Sequence, residues 1–224
     1  MDRISDMTAL YQVFDPLFPL GSYVFSGGME TYTQRGIVRD RESLSAFLRA
    51  QLYILPYNDL GVAAKAAEGE DFALLDDLSA AMKQPFEIRQ GSEKLCGRFL
   101  KTVGRLAEYP GLTAYREAIS AGRCDGHYPV AVGLFVRDLK DVATDKAMEL
   151  YCYNTLSVMV NHAVKLIPLG QVDGQAALHH AMASIPQAVE KAMAAALDEL
   201  GVSGCGFDLR AMQHETLHGR LFSS

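Results

Sequence analysis

The chain has 224 residues, of which 49% are hydrophobic and 21% charged, and its formal net charge is −6 at pH 7. This composition excludes a disordered chain, and the length allows a sizeable core, so we expect one domain spanning 1–224. The acidic balance gives no global electrostatic footprint for nucleic acid, and we expect protein partners instead.

The sequence shows no signal for secretion or membrane insertion. Residues 1–6 include two aspartates, and no apolar segment with a small-residue cleavage site follows them. The longest charge-free apolar stretch, 150–164, is too short to cross a bilayer. The cysteines are widely spaced, which fits buried thiols in a reducing compartment better than a disulfide framework. We therefore expect a cytoplasmic protein with no membrane partner.

The first element of interest is the glycine-rich segment 18–30. It lacks the Gly-Lys-Ser/Thr ending with which a phosphate-binding loop holds nucleotide and metal, and no clear strand precedes it. We interpret it as a turn between helices, with Ser26 as a candidate N-cap and the glycines allowing close backbone packing.

Helical spacing of apolar residues dominates the rest of the chain. Leu44, Phe47 and Leu48 begin one such pattern, and Asp40 or Ser43 can cap it. The apolar run in 127–139 fits either a buried strand or a buried helix, but no partner strand with matching alternation is evident. We assign it as a helix and predict an all-α, multi-helix bundle.

A central helix is predicted from Thr144 to the residues before Pro168, because apolar side chains surround nearly its whole circumference. One narrow polar stripe interrupts this pattern, at spacings that place its members on a single face. The stripe faces either solvent or a partner, and the pattern leaves both possibilities open. Its members are Asn154, Ser157, Asn161 and Lys165.

The string His214-Glu215-Thr216-Leu217-His218 matches H-E-x-x-H, in which two imidazoles on one helix share zinc and the glutamate activates water. A third ligand, such as Cys205 or His180, would have to fold back to complete the site. A helical projection also places both histidines away from the apolar side, as on an exposed face. We therefore expect no catalytic residue and no resident metal, and keep a zinc metallohydrolase as the alternative.

Four ordered blocks give the chain a recognisable signature. They are FPLGSY at 18–23 with SGGMETY at 26–32, GHYPVAVG at 126–133, VKLIPLGQ at 164–171, and MQHETLHGRLF at 212–222. Together they resemble the urease accessory protein F (UreF) family essentially from end to end. The resemblance implies an all-α homodimer that is not an enzyme, needs no cofactor, and links accessory proteins D/H to the GTP-binding accessory protein G on apo-urease.

In that family, GTP-dependent release from G supplies nickel to urease, and regulation of GTP hydrolysis by G is a further alternative for this chain. The resemblance directs attention to the segment 209–224, which we expect to be a docking element that is mobile in the free protein. The residues it implies for partner binding are Tyr23, Lys165, Gln171, Gln175, His214, Glu215, Arg220, Leu221 and Phe222.

Overall fold

The computed structural model describes residues 4–202 and 204–223, and in this part of the chain the regular elements are helices and no strand occurs. The predicted all-α fold is confirmed. In chain order the α-helices are α1 (Asp6–Val13), α2 (Met29–Gln34), α3 (Arg41–Ile54), α4 (Asp59–Glu68), α5 (Phe72–Met82), α6 (Phe86–Val103), α7 (Pro110–Ser120), α8 (Tyr128–Asp138), α9 (Thr144–Leu166), α10 (Gln171–Met182), α11 (Ile185–Ala194) and α12 (Cys205–His214).

Helix α8 lies at the centre of the bundle, with α4, α6 and α7 packed around it. Every residue from 129 to 136 is buried. Gly133 lets α4 and α8 touch through their backbones, because a Cβ at this position would lie 2.3 Å from the carbonyl oxygen of Ala63. The ambiguous run in 127–139 is therefore a helix, as predicted, and its apolar character reflects burial on all sides.

The predicted central helix is α9, which packs against α2, α4, α10 and α11. Its polar stripe is divided between two environments. The Asn154 amide donates a hydrogen bond to the carbonyl of Phe14 at 2.8 Å, and Ser157 is buried. Lys165, at the other end of the stripe, is exposed. The stripe thus begins beneath the N-terminal segment and ends in solvent.

Two capping predictions have different outcomes. Asp40 caps α3, as its carboxylate accepts the Ser43 backbone N–H at 2.8 Å. In return, the Ser43 hydroxyl oxygen accepts the backbone N–H of Asp40, which completes a capping box. The cap predicted at Ser26 is wrong, because α2 follows Gly28, whose φ of 82° leaves Ser26 outside the cap position. No helix in 4–202 or 204–223 has both the length and the apolar content required to span a bilayer.

Candidate partner-docking site

The C-terminal segment returns to the N-terminal block of the chain. Helix α12 packs against α2 and α6, and it ends at His214, whose side chain is fully buried. One ring nitrogen, Nε2, lies 3.0 Å from a carboxylate oxygen of Glu30 on α2. The other, Nδ1, lies 2.6 Å from Glu87 on α6. His214 therefore joins three helices at one point.

Glu30 is the second centre of this junction, and it is only 2% exposed. Besides His214, its carboxylate accepts the backbone N–H of Leu221 at 2.7 Å and that of Phe222 at 3.1 Å. A buried carboxylate without such donors would be strongly destabilising. The tail after α12 thus supplies hydrogen bonds that Glu30 needs in order to stay buried.

Basic side chains and carboxylates alternate in the junction. The Arg220 guanidinium lies 2.5 Å from Glu87 Oε1, on the carboxylate that also contacts His214. We name Glu30, Glu87, His214 and Arg220 the tail clamp.

The end of the tail is also held by a contact with α9. Phe222 is buried against the ring of His162, with ring centroids 4.7 Å apart. His162 Nε2 lies 3.2 Å from the carbonyl oxygen of Tyr23. Burial lowers the pKa of His162 to about 4, and the nearby charge of Lys165 acts in the same direction. His162 is therefore neutral near pH 7 and donates its Nε2 hydrogen to Tyr23.

The structure brings most of the predicted site residues to this junction. Tyr23 is 63% exposed. In the same turn, the carbonyl oxygen of Val24 accepts the backbone N–H of Ser223 at 2.8 Å. Leu221 is 64% exposed between the two buried anchors His214 and Phe222. Lys165 is exposed one helical turn beyond His162.

Two predicted residues lie farther along the chain, on α10. Gln171 is the first residue of this helix, and Gln175 lies one turn inside it. Both side chains are exposed. Helix α10 packs on α9 through Gly174, where a Cβ would lie 2.7 Å from Val164. This contact places the glutamines beside the final part of α9 and not within the tail clamp.

The H-E-x-x-H string does not form a zinc site in this geometry. Its members fall on both sides of the end of α12, because Glu215 is the C-cap and His218 is exposed in the irregular tail. The expectation that both histidines share an exposed face is wrong for His214, whose two nitrogens already contact Glu30 and Glu87. The part of the chain that the structure describes contains no group of three or more His, Cys, Asp or Glu residues suited to a metal ion.

An apolar rim borders the tail clamp. Leu209 and Met212, three residues apart on α12, are 54% and 40% exposed, and Phe86, next to Glu87 on α6, is 55% exposed. Large exposed apolar side chains on two helices that pack together are typical of protein interaction sites. The segment 209–224 is packed on the body at Ala211, His214 and Phe222, and its mobility in the free protein stays a prediction.

Sequence reasoning missed Glu30, Glu87 and His162, although they hold the tail in place. Glu30 and Glu87 each lie in the first turn of a helix, where an acidic residue is explained by the helix dipole alone. His162 lies on a helix with apolar residues all around, which is the available signal that its ring is buried.

Known proteins resemble this chain in sequence over nearly its whole length. The model of the UreF family matches residues 38–182. The urease accessory protein UreF of Actinobacillus pleuropneumoniae is 37% identical to this chain over 99% of its length and 100% of the relative's. The corresponding protein of Paenarthrobacter aurescens is 35% identical, with 96% of this chain and 97% of the relative covered. This chain belongs to the UreF family of urease accessory proteins.

Proposed function

We propose that this chain acts in the cytoplasm as a homodimeric, non-catalytic scaffold that joins accessory proteins D/H and G and promotes GTP-dependent nickel insertion into apo-urease. Family membership supports a role in urease maturation. The docking part of the proposal rests on the surface around the tail, where the N-terminal and C-terminal blocks of the resemblance meet.

The observation that carries the proposal is the tail clamp with its apolar rim. Glu30 in the clamp holds the backbone amides of Leu221 and Phe222, and the side chains of Leu221 and Tyr23 are each more than half exposed. Exposed apolar side chains beside a buried anchor are typical of a surface that binds another protein. This arrangement fits a protein partner.

We assign two neighbouring surfaces to two partners. The face of α12 and the tail, with Leu209, Met212 and Leu221, is the docking surface for D/H. The face that includes Tyr23, Lys165 and the exposed glutamines of α10 is the surface for G. Both surfaces include Arg220, which is 37% exposed while it contacts Glu87. Binding of D/H therefore changes the environment of a residue that G also meets.

The test is co-purification with purified D/H, G and apo-urease, followed by mass determination of the complexes and in-vitro urease activation. Leu221→Asp keeps the backbone bond to Glu30 and adds a charge to the outward side chain, so D/H capture should fall at least tenfold. Leu74→Asp, at a 47% exposed position on α5, is the matched control. Equal capture by both variants, or no complex with the parent chain, would overturn the proposal.

A further inference from the structure

The turn that carries Tyr23 has no buried side chain of its own. It is a single 3₁₀ turn, Ser22–Val24, without a side-chain cap, and none of its residues is buried. The backbone hydrogen bonds across it, at 3.2 and 3.1 Å, join residues only three apart. A segment with so few buried apolar contacts is weakly stable by itself. The position of the exposed Tyr23 side chain is therefore set by contacts from elsewhere in the fold.

Three elements of the body donate hydrogen bonds to backbone carbonyls within residues 20–24. The donors come from α6, α9 and the tail, which are distant from one another in sequence. The pairs are Arg98 Nη1 with the carbonyl of Leu20 at 3.1 Å, His162 Nε2 with that of Tyr23 at 3.2 Å, and the Ser223 N–H with that of Val24 at 2.8 Å. The turn is thus fixed from three sides.

Gly21 gives Arg98 access to the start of the turn. Its φ is 72°, and a Cβ at this position would collide with Arg98 Nη1. Glycine therefore serves twice here, because it adopts the left-handed backbone and leaves space for the guanidinium. Arg98 donates to a backbone carbonyl and not to an acidic side chain. Its contact holds the chain in place rather than balancing a charge.

His162 holds the centre of the turn from α9. Its side chain is 1% exposed, and Nδ1 has no hydrogen-bond partner in the part of the chain that the structure describes. A neutral imidazole has a single N–H, and at Nε2 this N–H is directed to the Tyr23 carbonyl. Because the acceptor belongs to Tyr23 itself, the bond fixes the backbone from which the exposed side chain projects.

We propose that His162 and Arg98 are positioning residues for the recruitment of G: they hold the turn so that the Tyr23 side chain meets this partner. The inference rests on the proposed function, which assigns Tyr23 to the surface for G. Neither positioning residue touches G. Both lie on helices of the body, so they hold the turn whether or not the tail is in place. A contact side chain on a fixed backbone loses less conformational freedom when it binds.

The first experiment separates the hydrogen bond of His162 from its ring packing. His162→Phe keeps an aromatic ring against Phe222 but has no N–H for the Tyr23 carbonyl, whereas His162→Gln loses the ring and keeps an amide N–H. At saturating D/H, affinity for G should fall at least about fivefold in His162→Phe and stay within about twofold of the parent in His162→Gln. Equal affinities of the two variants, or the opposite order, would overturn the proposal.

The second experiment determines whether His162 acts through the Tyr23 side chain. If it does, His162→Phe causes no further loss of affinity for G once Tyr23→Ala is present. A residue that acts on the fold as a whole would cause the same loss in both backgrounds. Additive losses would therefore exclude the positioning role.

Arg98 is tested with a conservative and a non-conservative variant. Arg98→Met keeps the apolar stem on α6 and removes the donor, whereas Arg98→Lys keeps a donor and the charge. Affinity for G should fall at least about threefold in Arg98→Met and less in Arg98→Lys. Lys101→Met, an exposed position three residues further along α6, removes the same charge and is the control. A loss in Lys101→Met as large as in Arg98→Met, or no loss in Arg98→Met, would contradict the role of Arg98.

Hydrogen exchange measures the turn without any partner. In the free protein, His162→Phe and Arg98→Met should each make the amides of Val24 and Phe25 exchange at least about threefold faster, while the amides of α8 stay protected. Unchanged exchange of both amides would show that the two side chains do not hold the turn, and would overturn the proposal.

These results are distinguishable from failure of the proposed function. If the parent chain in complex with D/H does not bind G, the proposed function fails and the assignment of G to Tyr23 falls with it. If the parent binds G and both His162→Phe and Arg98→Met bind it equally well, the positioning proposal alone is overturned.

Discussion

The ring of Phe222 packs edge-on against the ring of His162, with centroids 4.7 Å apart and planes at 67°. The contact joins the last turns of α9 to a residue near the end of the chain, and His162 also reaches the carbonyl of Tyr23. Three segments that are distant in sequence therefore meet at one neutral imidazole. Its titration should affect all three.

Acidification should weaken the fold through His162. Burial lowers the pKa of His162 to about 4 from an unfolded value near 6.5, so the unfolded chain takes up the proton first as the pH falls. The contribution of the neutral ring is fully present above about pH 6.5 and is lost as the pH falls through about 4. Between pH 7 and 4.5 the free energy of unfolding should decrease by about 2–3 kcal/mol from this residue.

Urea unfolding of the parent and of His162→Asn at the two pH values measures this contribution, because the other titrating groups are common to both proteins. The exposed His179→Asn is the control, and it should retain the parent's full decrease. If His162→Asn loses as much stability as the parent on acidification, His162 is not the group responsible.

The tail clamp should be strongly coupled, because Glu30 and His214 are buried and the four members share hydrogen bonds and ion pairs. Removing His214 leaves two buried carboxylates facing each other, and removing Glu87 leaves His214 and Arg220 without their partner. We expect His214→Ala and Glu87→Ala each to cost about 3–5 kcal/mol. The double variant should cost less than the sum by at least about 1 kcal/mol.

A double-mutant cycle by urea unfolding provides the coupling energy. The exposed ion pair Arg41–Asp173, with atoms 3.5 Å apart, is the matched control, and its coupling should stay below about 1 kcal/mol. Additive effects within the clamp would show that its contacts are independent.

Some of the fold follows from local pattern, whereas the clamp does not. Helical spacing and the absence of a partner strand were sufficient to predict α8, because those signals depend on neighbouring residues only. The projection of His214 to an exposed face was wrong, since Glu30 and Glu87 lie on helices 184 and 127 residues earlier in the chain. Periodicity gives no information about such distant partners, and it treated a buried histidine as a surface one.

The predicted docking role of the tail can be tested by hydrogen exchange. The amides of Leu221, Phe222 and Ser223 donate hydrogen bonds to Glu30 and to the Val24 carbonyl. If the segment is mobile in the free protein, these amides exchange much faster than those of α8, and binding of D/H slows them at least tenfold. Exchange that is equally slow with and without D/H would contradict the prediction of mobility.

Truncation tests the same segment by a second route. Removal of 217–224 deletes Arg220, Leu221 and Phe222 but leaves α12, so helix content should remain close to that of the parent while D/H capture falls at least tenfold. Circular dichroism and co-purification measure the two effects. Undiminished capture of D/H by a folded truncated chain would exclude the tail as the docking element.

The final prediction concerns recruitment of G by Tyr23, Lys165, Gln175 and Arg220. The side chains of Tyr23 and Lys165 are exposed and make no hydrogen bond or ion pair in the described part of the chain, so alanine there should leave the fold intact. Interface energy is concentrated in few residues, and a true contact should cost more than about 1 kcal/mol, or at least fivefold in affinity for G.

Arg220 needs a different substitution, because alanine would also release Glu87 from the tail clamp. Arg220→Lys keeps the positive charge near Glu87 but removes the planar fork, so it should weaken G binding while D/H capture is maintained. His179→Ala, one turn beyond Gln175 on the exposed face of α10, is the control for Gln175→Ala. The measurements are G capture by the complex with D/H and in-vitro urease activation. If all four variants recruit G and activate urease like the parent, G binds elsewhere on this chain.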